Sequence, residues 1–213
     1  MRKLMISSFA ILMILSCYIP DNNPPATTTP QTIEWVYVGN QSISAAEADH
    51  VSLAIDKNGV PYVSYEDYAY GYKATVLKFD GTNWVPVGGN PGVSLGRVIS
   101  PSLDLDTNGN PYLGYEEYSG SRGTVMQFNG TSWNTLGGAG FTAGIISHSS
   151  FVIGGNNAPY LVYWDWDNSR KATAVKWSGT SWIGVGNAGF TAGEPGYLNI
   201  TVDNSGTPYI AYS

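Results

Sequence analysis

Three short segments of the chain place aromatic rings beside carboxylates. They begin at Glu66, Glu116 and Trp164 and have the sequences EDYAYGY, EEYSGSR and WDWDNSR. Aromatic faces stack on the C–H surfaces of sugars, and charged groups exchange hydrogen bonds with sugar hydroxyls. The same composition suits a protein interface, or ordinary loops in a Tyr-rich chain. The predicted ligand-binding residues are Tyr68, Tyr70, Tyr72, Glu116, Glu117, Tyr118, Arg122, Trp164, Trp166, Asp167 and Arg170.

Catalytic motifs are scarce. The sequence has no His-x-His, Cys-x-x-Cys or Gly-x-Ser-x-Gly pattern. His50 and His148 lie two repeat periods apart, which predicts a structural role in a repeated loop. The pairs Glu66–Asp67 and Glu116–Glu117 suit glycoside hydrolysis, but their recurrence predicts solvated loop acids. We therefore expect no catalytic residue, no metal and no cofactor.

Tryptophan recurs at a fixed interval, which indicates a tandem repeat. Trp35, Trp84, Trp133 and Trp182 follow one another at intervals of 49 residues. This period lies in the range of propeller blades and of helical arrays. We expect these four residues to be structural, with buried rings that pack one repeat against the next.

Each repeat contains four short segments with the composition of β-strands. In the first complete repeat these are residues 51–56, 61–65, 74–79 and 84–88, separated by Gly-containing turns. Asp can bond its own downstream backbone and Gly adopts positive φ at low cost, so the turns predict hairpins. Four antiparallel strands per repeat are typical of a β-propeller blade. The predicted fold is an all-β propeller of four-stranded antiparallel blades.

The predicted propeller region covers residues 33–213 and holds about 3.7 blades. Complete blades are expected at about 51–88, 101–137 and 149–186, with a partial blade at 198–213 and a strand at 35–39. A four-bladed ring with one three-stranded blade would satisfy this count. So would a fragment of a larger propeller, including a truncated copy without independent function. A homo-oligomer that completes one ring is the third possibility.

The first residues have the composition of an export signal. Arg2 and Lys3 precede an apolar run that is too short to span a bilayer, so residues 1–16 are predicted to be a signal peptide. The sequence Ile-Leu-Ser-Cys at 14–17 resembles the lipobox of bacterial lipoproteins, which implies a lipidated Cys17. A plain signal peptide that is cut nearby is the alternative. The Pro- and Thr-rich segment 17–32 is predicted to be a flexible tether.

Charge restricts the class of partner. The chain has a formal net charge of −6, and without Arg2 and Lys3 eight basic residues remain against 16 acidic ones. Like-charge repulsion excludes nucleic acid and anionic head groups as favoured partners. A membrane contact is therefore expected only through the lipid anchor. The expected location is the bacterial cell envelope, or the medium if the anchor is absent.

Several strings in the repeats carry a family resemblance. SLAIDKNGVPYVSYED, ATVLKFDGTNW and the repeated GFTAG resemble secreted bacterial propeller repeats, which are related to Kelch-like and fucose-lectin-like propellers. The resemblance implies the propeller fold, and the predicted function is a non-enzymatic cell-envelope module that binds protein or glycan through its face loops. A glycoside-acting enzyme is the alternative. The turns lack the x-x-Trp that follows a sialidase Asp box, so sialidase activity is not implied.

Overall fold

The computed structural model describes residues 13–14 and 36–213. Three four-stranded antiparallel sheets follow one another along the chain, each with its strands in sequence order, and a two-stranded sheet follows them. The predicted all-β fold of four-stranded propeller blades is confirmed. Trp35, Cys17, the tether and the signal peptide apart from residues 13–14 lie outside the described residues.

All strands have between two and eight residues and pair antiparallel within their sheet. They are β1 (Met13–Ile14) and β2 (Val36–Tyr37); β3 (Ala48–Ile55), β4 (Pro61–Asp67), β5 (Lys73–Phe79) and β6 (Trp84–Pro86) in blade one; β7 (Val98–Leu105), β8 (Pro111–Glu117), β9 (Gly123–Phe128) and β10 (Trp133–Thr135) in blade two; β11 (Ile146–Ile153), β12 (Pro159–Asp165), β13 (Lys171–Trp177) and β14 (Trp182–Gly184) in blade three; and β15 (Leu198–Val202) and β16 (Pro208–Tyr212) in the last sheet. Single 3-10 turns cover Tyr68–Tyr70 and Trp166–Asn168. Among the described residues, no helix has the length and apolar character needed to cross a membrane.

The tryptophan that opens each fourth strand ties its blade to the preceding repeat. In all three blades the indole N–H donates to a backbone carbonyl 46 residues earlier. The pairs are Trp84 with Val38 at 2.7 Å, Trp133 with Val87 at 3.0 Å, and Trp182 with Leu136 at 2.8 Å. We call these contacts the tryptophan latches. The rings are partly buried, which is less than the buried rings that the sequence predicts.

The second strands form the interior of the array. All seven residues of β4 are buried, and so are the first six of β8. Burial of successive residues, which point to opposite faces, is typical of a sheet that is covered on both faces by its neighbours. The first strands of successive blades lie side by side. Side-chain oxygens link them: Ser52 accepts the N–H of Leu103 at 3.0 Å, and Asp104 accepts that of Ile153 at 2.7 Å.

A β-bulge interrupts the first strand of each complete blade at the same place. His50, Ser100 and His148 have φ values of 51°, 48° and 50°, in the left-handed region that non-Gly residues seldom adopt. The strand registers shift at these residues. A bulge redirects one side chain, and bulges are common beside functional sites. The expectation that the two histidines occupy a loop before the strand is therefore wrong, because the first strands begin earlier.

The ends of the described array do not pair with each other. β2 pairs with β1, and the two-stranded sheet of β15 and β16 has no third strand among the described residues. The segment after β2 nevertheless accepts the first tryptophan latch at Val38. It therefore lies beside blade one in the position that the fourth strand of a preceding blade would take.

Candidate functional site

Three groups of side chains at equivalent repeat positions lie on one face of the described array, which we call the upper face. We call these groups clefts one, two and three. At this face each second strand ends, each third strand begins, and the connection from the previous blade arrives. The bulged residue of the first strand is directed to the end of the second strand. His50 reaches Glu66 in blade one, and His148 reaches Trp164 in blade three. The repeat therefore places a bulge side chain against a second-strand side chain on this face.

Cleft one lies between blades one and two and consists of His50, Glu66, Tyr72, Arg97 and Tyr118. The Arg97 guanidinium lies between two rings, 4.2 Å from the centroid of Tyr72 and 4.1 Å from that of Tyr118. Its Nε is 3.5 Å from Glu66 Oε1, and His50 Nδ1 is 3.2 Å from Glu66 Oε2. The cleft thus combines hydrogen-bond donors, a carboxylate and aromatic surface from two blades.

The Glu66 side chain is buried, with only 5% of its surface exposed. Oε1 has no hydrogen-bond partner among the described residues, because the approach of Arg97 is an ion-pair contact without good hydrogen-bond geometry. A buried carboxylate oxygen without a hydrogen bond is costly and points to an additional partner. The expectation that Glu66–Asp67 and Glu116–Glu117 are solvated loop acids is wrong. β4 and β8 extend through these residues and bury them wholly or in part.

Cleft two lies between blades two and three and has the same backbone with different side chains. It consists of Ser100, Glu116, Ser121, Ile145 and Trp166. In this order they occupy the positions of His50, Glu66, Tyr72, Arg97 and Tyr118 in cleft one. Glu116 is buried, and this burial raises its pKa to about 7, with a hydrogen bond from Ser121 acting in the opposite direction. An aliphatic residue, Ile145, replaces the arginine. Among the described residues, the carboxyl group of cleft two therefore has no guanidinium beside it.

Cleft three, at the end of blade three, contains His148, Trp164 and Arg170. The imidazole stacks on the indole with ring centroids 4.0 Å apart and planes 21° from parallel. The indole N–H of Trp164 is buried and has no acceptor among the described residues. Arg170 pairs with Glu194 at 3.1 Å and lies 5.3 Å from the ring of Trp166. This cleft presents mainly aromatic surface and an unused donor.

The other tyrosines of the first predicted segment lie at the rim of cleft one. Tyr68 packs edge to face on Tyr72 with centroids 4.4 Å apart. Its hydroxyl donates to Asp49 at 2.5 Å, and this hydrogen bond is the main cause that raises the pKa of Tyr68 to about 12. Tyr70 is 45% exposed and lies beside Gly92. Tyr68 thus positions another ring, while Tyr70 remains accessible.

Two of the predicted ligand-binding residues form hydrogen bonds within the protein. Glu117 accepts the Thr124 hydroxyl at 2.6 Å, and Arg122 donates to the Thr142 carbonyl at 2.6 Å. These bonds fix the connection between blades two and three, so neither group faces a ligand freely. Asp167 is exposed, and its carboxylate lies against Gly144. The structure therefore divides the predicted set into cleft residues and supporting residues.

The sequence interpretation missed Arg97 and Ile145, and it assigned His50 to structure. Arg97 and Ile145 precede the first strands of blades two and three, where the repeats share little beyond glycine and small residues. Nothing local distinguishes them. For His50 the sequence does contain a signal, because the residue recurs as His148 at the same repeat position. A bulge beside a binding cleft explains this recurrence as well as a structural loop does.

The opposite, lower face carries hollows at the hairpin turns of blades one and three. One is lined by Asp56, Tyr62 and Lys78 and has a volume of about 470 Å³. Its equivalent in blade three is lined by Asn157 and Lys176, with a volume of about 480 Å³. The Asp56 carboxylate already accepts the backbone N–H groups of residues 58 and 60. Neither hollow is lined by a side-chain atom that is buried without a partner, in contrast to clefts one and three.

Solved structures with the same fold include carbohydrate-related proteins. The Aleuria aurantia lectin in complex with alpha-methyl-L-fucoside superposes with a TM-score of 0.56 and 19% identity, covering 84% of this chain and 59% of the lectin. A polysaccharide lyase, an ulvan lyase, gives a TM-score of 0.53 and 12% identity over 80% of this chain and 50% of the lyase. A mutant protein of Arthrobotrys oligospora superposes with a TM-score of 0.51 and 16% identity, covering 70% of this chain and 44% of that protein.

These identities establish the fold and nothing finer. The chain spans only about half to three fifths of the length of the lyase and the lectin. No protein-family model matches the sequence. No curated protein matches it either. The function must therefore be argued from the clefts themselves.

Proposed function

We propose that this protein is a non-catalytic carbohydrate-binding module that holds a sugar in cleft one. The carboxylate of Glu66 accepts a hydroxyl proton, and the guanidinium of Arg97 donates to the oxygen of a neighbouring hydroxyl. The exposed ring of Tyr118 lies beside a C–H face of the sugar. Adjacent hydroxyls on a pyranose match this pairing of donor and acceptor.

The observation that carries the proposal is the buried Oε1 of Glu66, which lacks a hydrogen bond among the described residues. A sugar hydroxyl provides the missing donor without requiring another charge. The carboxylate comes from blade one, whereas the donor and the aromatic ring come from blade two, so the site forms only when the blades are packed. The lectin among the solved structures of the same fold supports a carbohydrate rather than a protein ligand.

The experiment is a calorimetric titration of the protein, residues 33–213, with a panel of methyl glycosides chosen by a glycan array. Arg97→Ala and Glu66→Gln should each weaken the best ligand about 10-fold or more, since a hydrogen bond to a charged group contributes roughly 1.5–3 kcal/mol. Lys78→Ala on the lower face is the matched control, because it removes an exposed cation far from the cleft.

Two results would overturn this assignment. Sugar binding that is equally sensitive to Lys78→Ala and to Arg97→Ala would reflect general charge rather than cleft one. An array without any glycan signal, together with capture of a protein ligand that Arg97→Ala releases, would assign the upper face to protein recognition instead.

A glycoside-acting enzyme is the second candidate, and one observation favours it. Burial raises the pKa of Glu116 to about 7, which suits a proton donor near neutral pH. A polysaccharide lyase is also among the proteins of the same fold. Incubation with a panel of polysaccharides tests this candidate, and turnover that Glu116→Gln abolishes would replace the binding-only account.

We also propose that the module is exported and attached to the bacterial envelope through Cys17. The support is the sequence alone: the basic and apolar start of the chain and the lipobox-like residues 14–17. Metabolic labelling with a fatty acid in a bacterial host should label the full chain and leave Cys17→Ser unlabelled. Labelling of both proteins, or of neither, would contradict the anchor.

A further inference from the structure

Cleft two repeats the backbone of cleft one but changes every cleft side chain except the carboxyl. Ser100 occupies the bulge with φ 48°, and Ser121 occupies the left-handed position of Tyr72 with φ 47°. Ile145 replaces Arg97, and Trp166 replaces Tyr118. Equivalent backbone hydrogen bonds define the correspondence: Tyr118 N–H donates to Arg97 O, and Trp166 N–H donates to Ile145 O.

The walls of cleft two are apolar and accessible. Ile145 and Trp166 are each 49% exposed. The indole N–H of Trp166 donates to the Ser147 hydroxyl at 3.0 Å, which fixes the ring at the rim. A Trp held rigidly beside an exposed aliphatic side chain is a suitable contact for a methyl group.

The floor of cleft two is a carboxyl group that holds its proton more tightly than an ordinary glutamic acid. Burial without a cation raises the pKa of Glu116 to about 7. The charged groups near the cleft are occupied elsewhere: Glu117 accepts from Thr124, Arg122 donates to Thr142, and Asp167 lies against Gly144. Arg170 lies 5.3 Å from the ring of Trp166 and pairs with Glu194. The protonated form offers one donor, and the carbonyl oxygen remains an acceptor.

These groups together match an acetamido substituent. Its carbonyl oxygen accepts from the protonated Glu116, its N–H donates to a serine hydroxyl, and its methyl group packs on the aliphatic and indole walls. We propose that cleft two is a second sugar site, specific for an uncharged sugar that carries an acetamido group. This inference rests on the proposed carbohydrate-binding function and adds a second ligand class to it.

The test is a titration of the protein, residues 33–213, with methyl N-acetyl-β-glucosaminide, using methyl β-glucoside as the probe that lacks the acetamido group. The acetamido sugar should bind at least 10-fold more tightly, and this preference should disappear in Ile145→Arg, which restores the cleft-one residue. The affinity should fall about 10-fold from pH 6 to pH 8, as the single proton with pKa near 7 is lost.

Glu116→Gln separates binding from simple structural damage. The amide keeps a donor and an acceptor, so it should retain the acetamido preference and lose the pH dependence. Lys78→Ala on the lower face is the matched control and should behave as the wild type in both respects.

Each alternative result has a distinct meaning. Equal affinity for the two probes, or an acetamido preference that survives Ile145→Arg, would overturn the assignment of cleft two. If that preference instead disappears in Arg97→Ala, the acetamido sugar binds cleft one, so cleft two fails while the proposed function stands. If no sugar of any class binds the wild type, both proposals fail together.

Discussion

The tryptophan latches and the upper-face clefts each occur three times, but a side chain recurs at the latches and a backbone conformation recurs at the clefts. At the latches both the side chain and its acceptor recur, and every indole reaches a carbonyl 46 residues earlier. At the clefts the backbone recurs, with the same bulge in each blade, while most of the side chains change from one cleft to the next. Cleft one has an arginine where cleft two has an isoleucine.

This difference separates the parts that hold the array together from the parts that contact a ligand. A latch joins a side chain to the backbone of the preceding repeat, so any other residue breaks an interblade hydrogen bond. The cleft side chains Tyr118, Ile145 and Trp166 are exposed, so their replacement leaves the blade intact, whereas the carboxyls Glu66 and Glu116 are buried. The comparison therefore predicts that latch substitutions mainly change stability, while substitutions of the exposed cleft residues mainly change binding.

The largest expected effect is at a latch. Trp133→Ala should lower the free energy of unfolding by about 3 kcal/mol, the low end of the range for aromatic-to-alanine changes, because the ring is partly exposed. Trp133→Phe should lose about 1 kcal/mol, since it keeps a ring but removes the hydrogen bond to Val87. Urea unfolding measures both values. A loss below about 0.5 kcal/mol for the alanine variant would show that the latch is not structural.

The next effect concerns packing between blades two and three. A Cβ on Gly114 would lie 2.7 Å from Cγ of Phe151, so Gly114→Ala should cost about 2 kcal/mol through overpacking. In the preceding pair of blades the equivalent residues are Ser64 and Leu103. Adding Phe151→Leu should therefore recover part of the loss in thermal unfolding. Additive losses in the double variant would show that the two residues do not pack against each other.

The clefts themselves differ in the pH dependence of stability. The folded pKa of Glu116 lies above its unfolded value, so its contribution is full below about pH 4.5 and is lost as the pH rises through about 7. Glu116→Gln should therefore gain about 1–2 kcal/mol relative to the wild type at pH 8 and nothing at pH 4.5. Thermal unfolding at both pH values measures this difference. A stability difference that is the same at both pH values would show that the pKa of Glu116 is not raised in the folded protein.

The smallest expected effect on stability is in cleft one. Arg97→Ala removes two exposed contacts with aromatic rings, each contributing about 0.5 kcal/mol, and the 3.5 Å contact with Glu66. Glu66 keeps its contact with His50, so the free energy of unfolding should change by about 1 kcal/mol. Sugar binding should nevertheless fall about 10-fold, as argued above. A loss of stability as large as that of Trp133→Ala would mean that Arg97 belongs to the framework rather than to the binding surface.

The sequence predicts the framework well because repetition exposes it. The 49-residue tryptophan interval, the Asp-x-x-Gly turns and the Pro-Tyr strands each recur with the same residue types. The clefts are harder to predict, since their defining feature is a backbone bulge on which the residue changes from blade to blade. The sequence predicts Glu66 in a loop, because an acidic residue at the end of a strand does not continue the apolar pattern that marks the strand. Only the packing of two blades buries it.

The central claim is that cleft one binds a carbohydrate, and a crystal structure with the best methyl glycoside from the array tests it most directly. The account predicts a sugar hydroxyl within hydrogen-bond distance of Glu66 Oε1, a second hydroxyl on the Arg97 guanidinium, and a C–H face of the sugar against Tyr118. A sugar bound in the lower-face hollow beside Lys78, with cleft one empty, would contradict it.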